Sequence, residues 1–317
     1  MPLAVMIPTG TNRPKTPSGP GQRRGPGEGG RPASAEIPSV PPTRSTRPRE
    51  REPSSLLFAT ALYRLLSWLS PAFPIGAFGY SHGLETAVET GLVCDGTSLQ
   101  SWVAGILAHG SGRIDADILC DAHRAAAGGA LPALAAVNRR GRAYRGTAEL
   151  ALESAAQGEA FLATCRAAWP DPFLEEWAAG RVRSRRRDSG SPNPHSELPE
   201  PDSRPPENGG SPDPRAGPAV CYAAAVGAVA ARSAIPLEAA LAAYLQAMAA
   251  NLVSAALRLG LVGHIGGQRI LCALEPAVIR AAYHAVARGP DDFGAATFAV
   301  DLASMTHETQ YTRLFRS

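Results

Sequence analysis

Along most of the chain, apolar residues recur at intervals of three and four positions, the spacing that places them on one face of an α-helix. The first such stretch, LLFATALYRLLSWL, begins at Leu56, and the prolines Pro71 and Pro74 end it. No stretch alternates apolar and polar residues as a half-buried strand does, and no spacing fits a β–α–β unit. The pattern therefore predicts an all-α protein.

Capping residues, prolines and glycines divide the rest of the chain into further helices. Asp95 and Thr97 are capping candidates for one helix, Thr147 for a longer one, and Pro236 suits the first position of another. Residues 263–268 (GHIGGQ) predict a turn between two helices, since they lack the Lys-Ser/Thr and the preceding strand of a phosphate loop. We expect a single bundle domain of about ten helices, at about 56–69, 81–91, 99–109, 114–127, 131–140, 147–168, 173–179, 219–233, 236–260 and 270–288, with a last one after residue 292.

Composition separates two segments from this helical body. Residues 1–54 are rich in Pro, Gly, Arg, Ser and Thr and hold few large hydrophobic residues, and residues 181–217 are similarly polar and proline-rich. Neither segment can bury enough apolar surface to offset the entropy lost on ordering. We therefore predict a disordered basic tail at 1–54 and an all-α domain at 55–317, interrupted by a disordered insertion at about 181–217.

The positive charge of the chain lies in the same N-terminal tail. Residues 1–54 hold nine Lys/Arg against four Glu, a net charge of +5, so the remaining residues carry about −2 of the formal +3. The folded body thus shows no cationic stripe of the kind that binds nucleic acid.

Cysteine usage and hydropathy indicate the compartment. The five cysteines are scattered without a C-x-x-C pair, which is typical of buried thiols in a reducing cytosol. The N-terminal apolar run is too short for a signal peptide, and no segment is expected to be long and apolar enough to span a bilayer. We expect a soluble, cytoplasmic protein without a nucleic-acid or membrane partner.

Residues 79–83 (GYSHG) match G-x-S-x-G, the nucleophile elbow of serine hydrolases. That motif works only on a strand–turn–helix, and here prolines and glycines precede Ser81 where the strand would lie. A helical serine hydrolase that uses Ser81 is therefore the disfavoured alternative. We expect Ser81 instead to cap the helix that follows, with Glu85 in its first turn.

The histidines give no better candidate for chemistry. His307-Glu308 resembles the start of H-E-x-x-H, but residue 311 is Tyr, so the second zinc ligand of that motif is missing. The other histidines do not have the spacing of metal ligands. We predict no catalytic residue, no metal site and no cofactor site in this chain.

Two segments remain whose composition is typical of interaction surfaces. The first is the stretch SPAFPIGAFGYSHGLE at residues 70–85, whose prolines and glycines fix its shape, and the second is the C-terminal YTRLFRS. Chain ends are normally polar, whereas this one carries the aromatic, aliphatic and cationic residues that dominate binding interfaces.

Four stretches of the chain resemble the family of urease accessory protein UreF. They are LLSWLSPAFPIGAFGYSHGLETAVETGLV, TAELALESAAQGEAF, IPLEAALAAYLQAMAANLVSAALRLG with the GGQRIL that follows, and MTHETQYTRLFRS. Together they span almost all of residues 55–317 apart from the insertion, and the first and last are highly specific.

The resemblance implies an all-helical protein that dimerises and binds the accessory protein UreD, also called UreH. The pair would recruit the GTPase UreG and present it to apo-urease, so that nickel is inserted on GTP hydrolysis. The resemblance implies no catalytic residue and no cofactor in this chain, since the complex handles nickel and UreG binds GTP. The segment around Ser81 would then be a docking loop.

The predicted partner-binding residues come from the two interaction segments, the preceding residues His307 and Glu308, and the glycine-rich turn. They are Phe73, Pro74, Gly76, Phe78, Tyr80, Ser81, Glu85, Gln268, His307, Glu308, Tyr311, Arg313, Leu314 and Phe315. We further expect the C-terminal tail to order on UreD/UreH, with Leu314 and Phe315 buried and Arg313 making charge-assisted bonds. The ordered tail would then brace the loop at residues 73–80.

Overall fold

The structure, a computed structural model, describes residues 53–188 and 219–316 of the chain. Within these two ranges it contains eleven α-helices, two 3₁₀ turns and no β-strand, which confirms the predicted all-α bundle. The apolar periodicity of the sequence is therefore realised almost entirely as helix.

The helices are numbered in chain order and overlap the predicted ones. They are α1 (Pro53–Trp68), α2 (Leu84–Glu89), α3 (Gly96–His109), α4 (Ser111–Ala127), α5 (Leu131–Ala143), α6 (Ala148–Ala168), α7 (Pro172–Asp188), α8 (Tyr222–Arg232), α9 (Leu237–Arg258), α10 (His264–Ala287) and α11 (Phe298–His307). The two 3₁₀ turns are Ala77–Gly79 and Pro290–Asp292.

Helix α8 lies at the centre of the bundle and is built from small side chains. Residues 223–230 are all buried, and Val226 and Val229 are the only ones among them larger than alanine. Helix α8 packs most extensively on α4 and next on α6. Alanine favours the helical conformation, and its small side chain lets neighbouring helix backbones approach closely. The apolar surface of α8 is therefore buried by close helix–helix packing and not by large side chains.

Two glycines permit the closest helix crossings. A Cβ atom on Gly227 of α8 would lie 2.5 Å from the carbonyl oxygen of Leu119 in α4. A Cβ atom on Gly158 of α6 would lie 2.2 Å from the carbonyl oxygen of Val220, just before α8 begins. Both distances are shorter than any ordinary carbon–oxygen contact, so both crossings depend on the missing side chain.

Aromatic side chains fill the end of the bundle where α1 meets the first interaction segment. Trp68 of α1 lies edge-on to Phe161 of α6, with ring centroids 6.3 Å apart. Phe73 packs on the same Phe161 ring at 5.4 Å. Phe73 therefore anchors the segment that follows α1 to the core.

Two of the predicted helix caps are confirmed. Asp95 accepts the N–H of Ser98 at 2.8 Å while the Ser98 hydroxyl accepts the N–H of Asp95, which forms a capping box at the start of α3. Thr147 accepts the N–H of Leu150 at 3.1 Å and caps α6. Pro236 lies at the N-cap of α9, one residue before the predicted position.

The prediction of a turn at residues 263–268 is wrong. Gly263 is the N-cap of α10 and the helix begins at His264, so the glycines that follow lie in its first turns. Gly267 is buried where α10 packs on α9, and a Cβ atom there would lie 3.0 Å from the side chain of Val253. Gly267 thus serves close helix packing, which a sequence pattern does not distinguish from a turn.

The predicted insertion also begins later than expected. Helix α7 continues to Asp188, because the arginine-rich stretch after residue 180 has high helix propensity and extends an existing helix. The rest of that predicted segment, residues 189–217, lies outside the described residues. So does the predicted N-terminal tail, apart from the two residues that begin α1.

Contrary to expectation, helices α9 and α10 are long and apolar enough to cross a membrane by length and composition. Helix α9 contributes Leu241, Leu245 and Leu252 to the buried core and packs along α10. Core helices of soluble proteins meet the same criterion when they are mostly buried. The apolar window of α9 is 50% buried and that of α10 only 33%, but Ile270, Leu274 and Val278 place α10 in the same core, so we interpret both as helices of the bundle.

Replacing Gly227 by Ala should destabilise the fold by about 1–3 kcal/mol, since the new methyl group would overlap the Leu119 carbonyl oxygen. Gly105→Ala is the matched control: no atom lies within 4 Å of a Cβ at Gly105 inside α3, so this change should stabilise by about 0.5–1 kcal/mol. Denaturant unfolding followed by circular dichroism measures both variants. Equal unfolding midpoints would contradict the described α4–α8 crossing.

Candidate docking site

The docking loop, which we define as residues 70–83, joins α1 to α2 and contains most of the first interaction segment. Gly76, with a φ of 69°, precedes the 3₁₀ turn Ala77–Gly79, and this turn presents Phe78 with 70% of its surface exposed. His82 and Gly83, with φ of 58° and 76°, then reverse the chain into α2. The left-handed conformation is ordinary for glycine but uncommon for histidine, so His82 needs contacts that hold it.

The base of the docking loop is fixed against α11. A Cβ atom on Gly83 would lie 2.9 Å from the backbone nitrogen of Ser304 in α11, so only glycine allows this approach. The Ser304 hydroxyl in turn hydrogen-bonds at 2.8 Å to that of Thr147, which caps α6. Helices α2, α6 and α11 therefore meet directly below the loop.

At this junction a fully buried histidine, His307 of α11, lies between two carboxylates. Its Nδ1 is 2.8 Å from Oε2 of Glu149 in α6, and its Nε2 is 3.0 Å from Oε2 of Glu85 in α2. Each contact needs a proton between nitrogen and oxygen, so both carboxylates can be ionised only when the imidazole carries two protons. We call Glu85, Glu149 and His307 the carboxylate–histidine cluster.

The cluster holds the C-terminal tail, which we define as residues 309–316. The Glu85 carboxylate accepts the backbone N–H groups of Leu314 at 2.6 Å and Phe315 at 3.0 Å. The Arg313 guanidinium donates to Oε1 of Glu149 at 3.0 Å. These are charge-assisted hydrogen bonds, the stronger class in proteins. The two carboxylates therefore bind His307 and the tail at the same time.

The tail also contacts the docking loop directly. The backbone N–H of Arg316 donates to the Gly79 carbonyl oxygen at 2.8 Å. Arg258, at the end of α9, donates to the Phe78 carbonyl oxygen and lies 4.3 Å from the centroid of the Phe315 ring. The loop tip and the end of the chain are thus held by the same arginine, and the two interaction segments form one surface.

A row of polar side chains along α6 also contacts the docking loop. Glu149, Glu153 and Gln157 lie one helical turn apart, and Glu153 accepts a hydrogen bond from the Gln157 amide at 3.0 Å. The His82 ring lies between Glu153 at 3.2 Å and the Ser111 hydroxyl at 2.6 Å. These contacts hold His82 in its left-handed conformation.

Burial changes the acidity of two groups at the site. It raises the pKa of Glu149 above the ordinary glutamate value, although the neighbouring His307 and Arg313 act in the opposite direction. The pKa of Tyr80 is also raised, by burial and by the nearby Glu153 carboxylate. Glu149 therefore takes up a proton at a higher pH than an exposed glutamate does.

A cavity of about 400 Å³ lies behind the docking loop, with Phe73 on its loop side and Gln268 on its α10 side. Deeper in the cavity, Arg145 donates to Oδ1 of Asp115 at 2.6 Å, and the Tyr244 hydroxyl donates to Oδ2 at 2.8 Å. Both carboxylate oxygens of Asp115 therefore have hydrogen-bond donors within the same chain. Gln268 thus lines this cavity, whereas Glu85, Glu149 and His307 are not among its lining residues.

The predicted partner-binding residues differ in solvent exposure. Eight of them are exposed: Pro74, Gly76, Phe78, Gln268, Glu308, Tyr311, Arg313 and Leu314. Phe73 is half-buried, and five are buried in the chain: Tyr80, Ser81, Glu85, His307 and Phe315. In this conformation the buried residues cannot touch a partner. They shape the surface that the exposed ones present.

The expectation that Phe315 is buried on a partner is wrong in this structure, because the tail packs on its own chain, whereas the burial of Leu314 on a partner stays a prediction. Phe315 is only 4% exposed because it packs in its own chain, whereas Leu314 remains 62% exposed. Arg313 does make a charge-assisted bond, but its acceptor is Glu149 of the same chain. The acceptors lie far from the tail in sequence, so no local pattern showed that the chain could hold its own tail.

The structure gives Ser81 a structural role. It is fully buried, and its Oγ accepts the N–H of Glu85 at 3.4 Å, so it helps to cap α2 although Gly83 holds the N-cap position. His82 is directed at Glu153 and Ser111, not at Ser81. In the described part of the chain no strand precedes Ser81, and no group of three His, Cys, Asp or Glu residues could hold a metal ion.

Four residues of the site were not predicted: Glu149, Glu153, His82 and Arg258. The spacing of Glu149, Glu153 and Gln157, one turn apart after the Thr147 cap, could have indicated a polar stripe along α6. Arg258 gave no such signal, because an arginine in the last turn of a helix is common.

The family model and the similar proteins found by comparison point to the same protein family. The UreF family model matches residues 93–275, which lie between the docking loop and the tail. A urease accessory protein UreF of Rhodopseudomonas palustris (strain BisB18) is 41% identical over 273 residues, covering 86% of this chain and 99% of that protein. One of Azorhizobium caulinodans is 44% identical over 253 residues, covering 80% and 94%. One of Bradyrhizobium sp. (strain ORS 278) is 42% identical over 257 residues, covering 81% and 92%.

Truncating Phe315 to Ala should release the tail, because its ring is buried beside Arg258. Removing the ring leaves a cavity, and the remaining hydrogen bonds of the tail do not replace the lost apolar burial. Trypsin should then cleave after Arg313 about tenfold faster or more, as measured by mass spectrometry of the released peptide. Tyr311→Ala is the matched control, since Tyr311 is fully exposed and its loss should leave the cleavage rate unchanged. Equal rates in the two variants would show that Phe315 does not anchor the tail.

Proposed function

Because the chain belongs to the UreF family of urease accessory proteins, we propose that it is a non-catalytic scaffold for urease maturation. In this proposal it binds UreD/UreH, and the pair recruits the GTPase UreG and presents it to apo-urease, where nickel is inserted on GTP hydrolysis. Nickel is a cargo of the complex and GTP a ligand of UreG, so the chain itself uses no cofactor. The proposal places the protein in the cytoplasm as a homodimer.

The observation that carries this proposal is the joined surface of docking loop, α11 and tail. Phe298, Leu302 and Met305 follow one face of α11 at intervals of four and three residues, and all three are exposed. Leu314 of the tail and Phe78 of the loop tip are exposed as well. We call these five residues the docking face. Exposed apolar clusters of this kind mark interaction sites, and we propose that UreD/UreH covers the docking face.

The contacts of Arg258 suggest how a second partner is recruited. Arg258 binds both the Phe78 carbonyl group and the Phe315 ring, so the position of the loop tip depends on the position of the tail. A partner that covers the tail would therefore also fix the loop tip. In our proposal this is how UreD/UreH prepares the surface for UreG.

The homodimer in this proposal requires a second apolar face. Ile265, Ile279 and Tyr283 of α10 are exposed and lie fourteen and four residues apart, so they share one side of the helix. A second copy of the chain would bury this side.

The alternative, a helical serine hydrolase, predicts a different result for Ser81→Ala. For a scaffold this change should cost roughly 1 kcal/mol of cap stability at most and leave urease activation nearly unchanged. A catalytic serine would lose several orders of magnitude in rate. The measurement is urease activity after co-expression with the other accessory proteins. Abolished activity in a variant that still folds and binds its partners would restore the hydrolase hypothesis.

Leu302→Glu should weaken binding of UreD/UreH by about 2 kcal/mol, roughly thirtyfold, because it places a charge between Phe298 and Met305 in the exposed apolar row of α11. Leu92→Glu is the matched control, since Leu92 is similarly exposed but lies in the turn before α3. Size-exclusion chromatography of each variant with UreD/UreH measures complex formation. Normal binding by Leu302→Glu, or an equal loss in Leu92→Glu, would place the partner elsewhere.

A further inference from the structure

A groove of about 790 Å³ lies between α3 and α10, and no residue of the docking loop, the docking face or the C-terminal tail lines it. We call it the α3–α10 groove. Half of the residues that line it are alanine or glycine, among them Ala104 and Ala108 of α3 and Ala281 of α10. Gly105 lines it too, and a Cβ atom there would have no atom within 4 Å. The groove therefore has room for a ligand beside α3.

Cationic and histidine side chains form a short stripe along the α10 side of the groove. Arg280, His284 and Arg288 follow one another at intervals of four residues, and all three line the groove. Since an α-helix rises about 1.5 Å per residue, the stripe is about 12 Å long. A stripe of this length matches a small anion and is too short for the extended phosphate track that a nucleic acid needs.

Two arginines of the groove are already paired within the chain. Arg288 donates to Oδ1 of Asp117, and its side chain is only 11% exposed. Arg113, near the start of α4, donates to Oδ1 of Asp292 at 2.6 Å. Asp292 is the one acidic residue among the described residues that line the groove. Arg113 and Arg288 therefore form one end of the groove, and their charges are neutralised there.

Arg280, by contrast, makes no hydrogen bond or ion pair with another described residue, and it is exposed. The neighbouring positions one turn away on α10 are Pro276, Ala277, Tyr283 and His284, so the helix itself offers no carboxylate to Arg280. His284 is also exposed and has no hydrogen-bond partner among the described residues. The guanidinium and the imidazole therefore bring unused N–H donors to the groove.

A second histidine lies across the groove, on α3. Gly96, the first residue of α3, lies beside Ile270 of α10, because a Cβ atom on Gly96 would be 3.5 Å from Cδ1 of Ile270. His109 comes thirteen residues after Gly96, His284 comes fourteen residues after Ile270, and both histidines line the groove. The two helices therefore run in the same direction, with the histidines at about the same level on opposite walls.

This set of donors suits a phosphate group better than a carboxylate. A phosphate ester carries close to two negative charges and three acceptor oxygens, whereas a carboxylate carries one charge on two oxygens. An arginine binds two phosphate oxygens through parallel N–H···O bonds, and an imidazole N–H can donate to the third. The small apolar residues of the groove lie beside these donors and offer a surface for an organic group.

We infer that the α3–α10 groove binds a small organic phosphate. Arg280, His284 and His109 hold the phosphate group, and the organic group lies on the alanines and Gly105 of the groove. The phosphate is bound and not cleaved, so the chain remains non-catalytic. Since the groove shares no residue with the docking face, this site does not depend on the proposed function.

The experiment is isothermal titration calorimetry of the full chain with naphthyl phosphate, in a buffer that contains no other phosphate. The dissociation constant should be about 0.5 mM, which is the value that the usual ligand efficiency gives for a compound of about fifteen non-hydrogen atoms. Inorganic phosphate lacks the ring, and naphthoate has a carboxylate in place of the phosphate. Each should bind about tenfold more weakly or worse, which distinguishes an organic phosphate from free phosphate and from a carboxylate.

Two variants should weaken the binding of naphthyl phosphate, and a third should not. Arg280→Gln removes the unpaired guanidinium and should weaken binding about tenfold, because hydrogen bonds between charged groups are the stronger class. Gly105→Leu fills the groove and keeps every cation, so it should weaken the binding of naphthyl phosphate but not that of inorganic phosphate. Arg269→Gln is the matched control, since Arg269 is exposed on the same helix but does not line the groove.

The site would be overturned if the unsubstituted chain did not bind naphthyl phosphate, or if Arg280→Gln and Arg269→Gln bound it equally well. Equal affinities for naphthyl phosphate and naphthoate would also overturn it, as would unchanged binding of naphthyl phosphate in Gly105→Leu. Circular dichroism checks that each variant folds, and if Gly105→Leu does not, Arg280→Gln decides the test. A short polyglutamate peptide is titrated as well. If it binds more tightly than naphthyl phosphate, the groove holds an acidic protein segment and the assignment to an organic phosphate is wrong.

Discussion

The contact between His307 and two glutamates is the interaction on which the candidate docking surface depends. Burying three ionisable groups is costly unless each is paired and hydrogen-bonded, and here the imidazole satisfies both carboxylates at once. The remaining acceptor capacity of Glu85 and Glu149 holds the tail. The order of the chain end is thus a consequence of a buried charge arrangement, and removing one member would leave the others uncompensated.

The alanine-rich core provides the rigid frame that this arrangement needs. Helix α8 fixes α4 and α6 through close backbone approach, and α6 then presents Glu149 and Glu153 in register toward α11 and the docking loop. Small side chains let the helix backbones approach closely, and a close-packed interior has low compressibility, so the distances between these helices are well fixed. The polar contacts of His307, Glu85 and Glu149 therefore join distant parts of the chain. The apolar core holds in place the helices that carry these residues.

Much of the fold could be predicted because helical periodicity and capping are local signals, as at Asp95 and Thr147. The start of α10 was misread as a turn because a glycine in a crowded helix crossing, such as Gly267, and a glycine in a turn look alike in sequence. The loop and tail were recognised as interaction segments, yet the burial of Tyr80, Glu85 and His307 was not predicted. Glu85 and His307 are 222 residues apart, and no local pattern encodes such a contact.

We propose that the docking loop, α11 and the tail act as one surface for a partner. Hydrogen–deuterium exchange of the chain, with and without UreD/UreH, tests it most directly. The account predicts that peptides covering residues 70–83 and 298–316 gain protection together when the partner is added, while peptides of α5 do not change. Protection confined to one of the two segments, or found only on another face of the bundle, would contradict it.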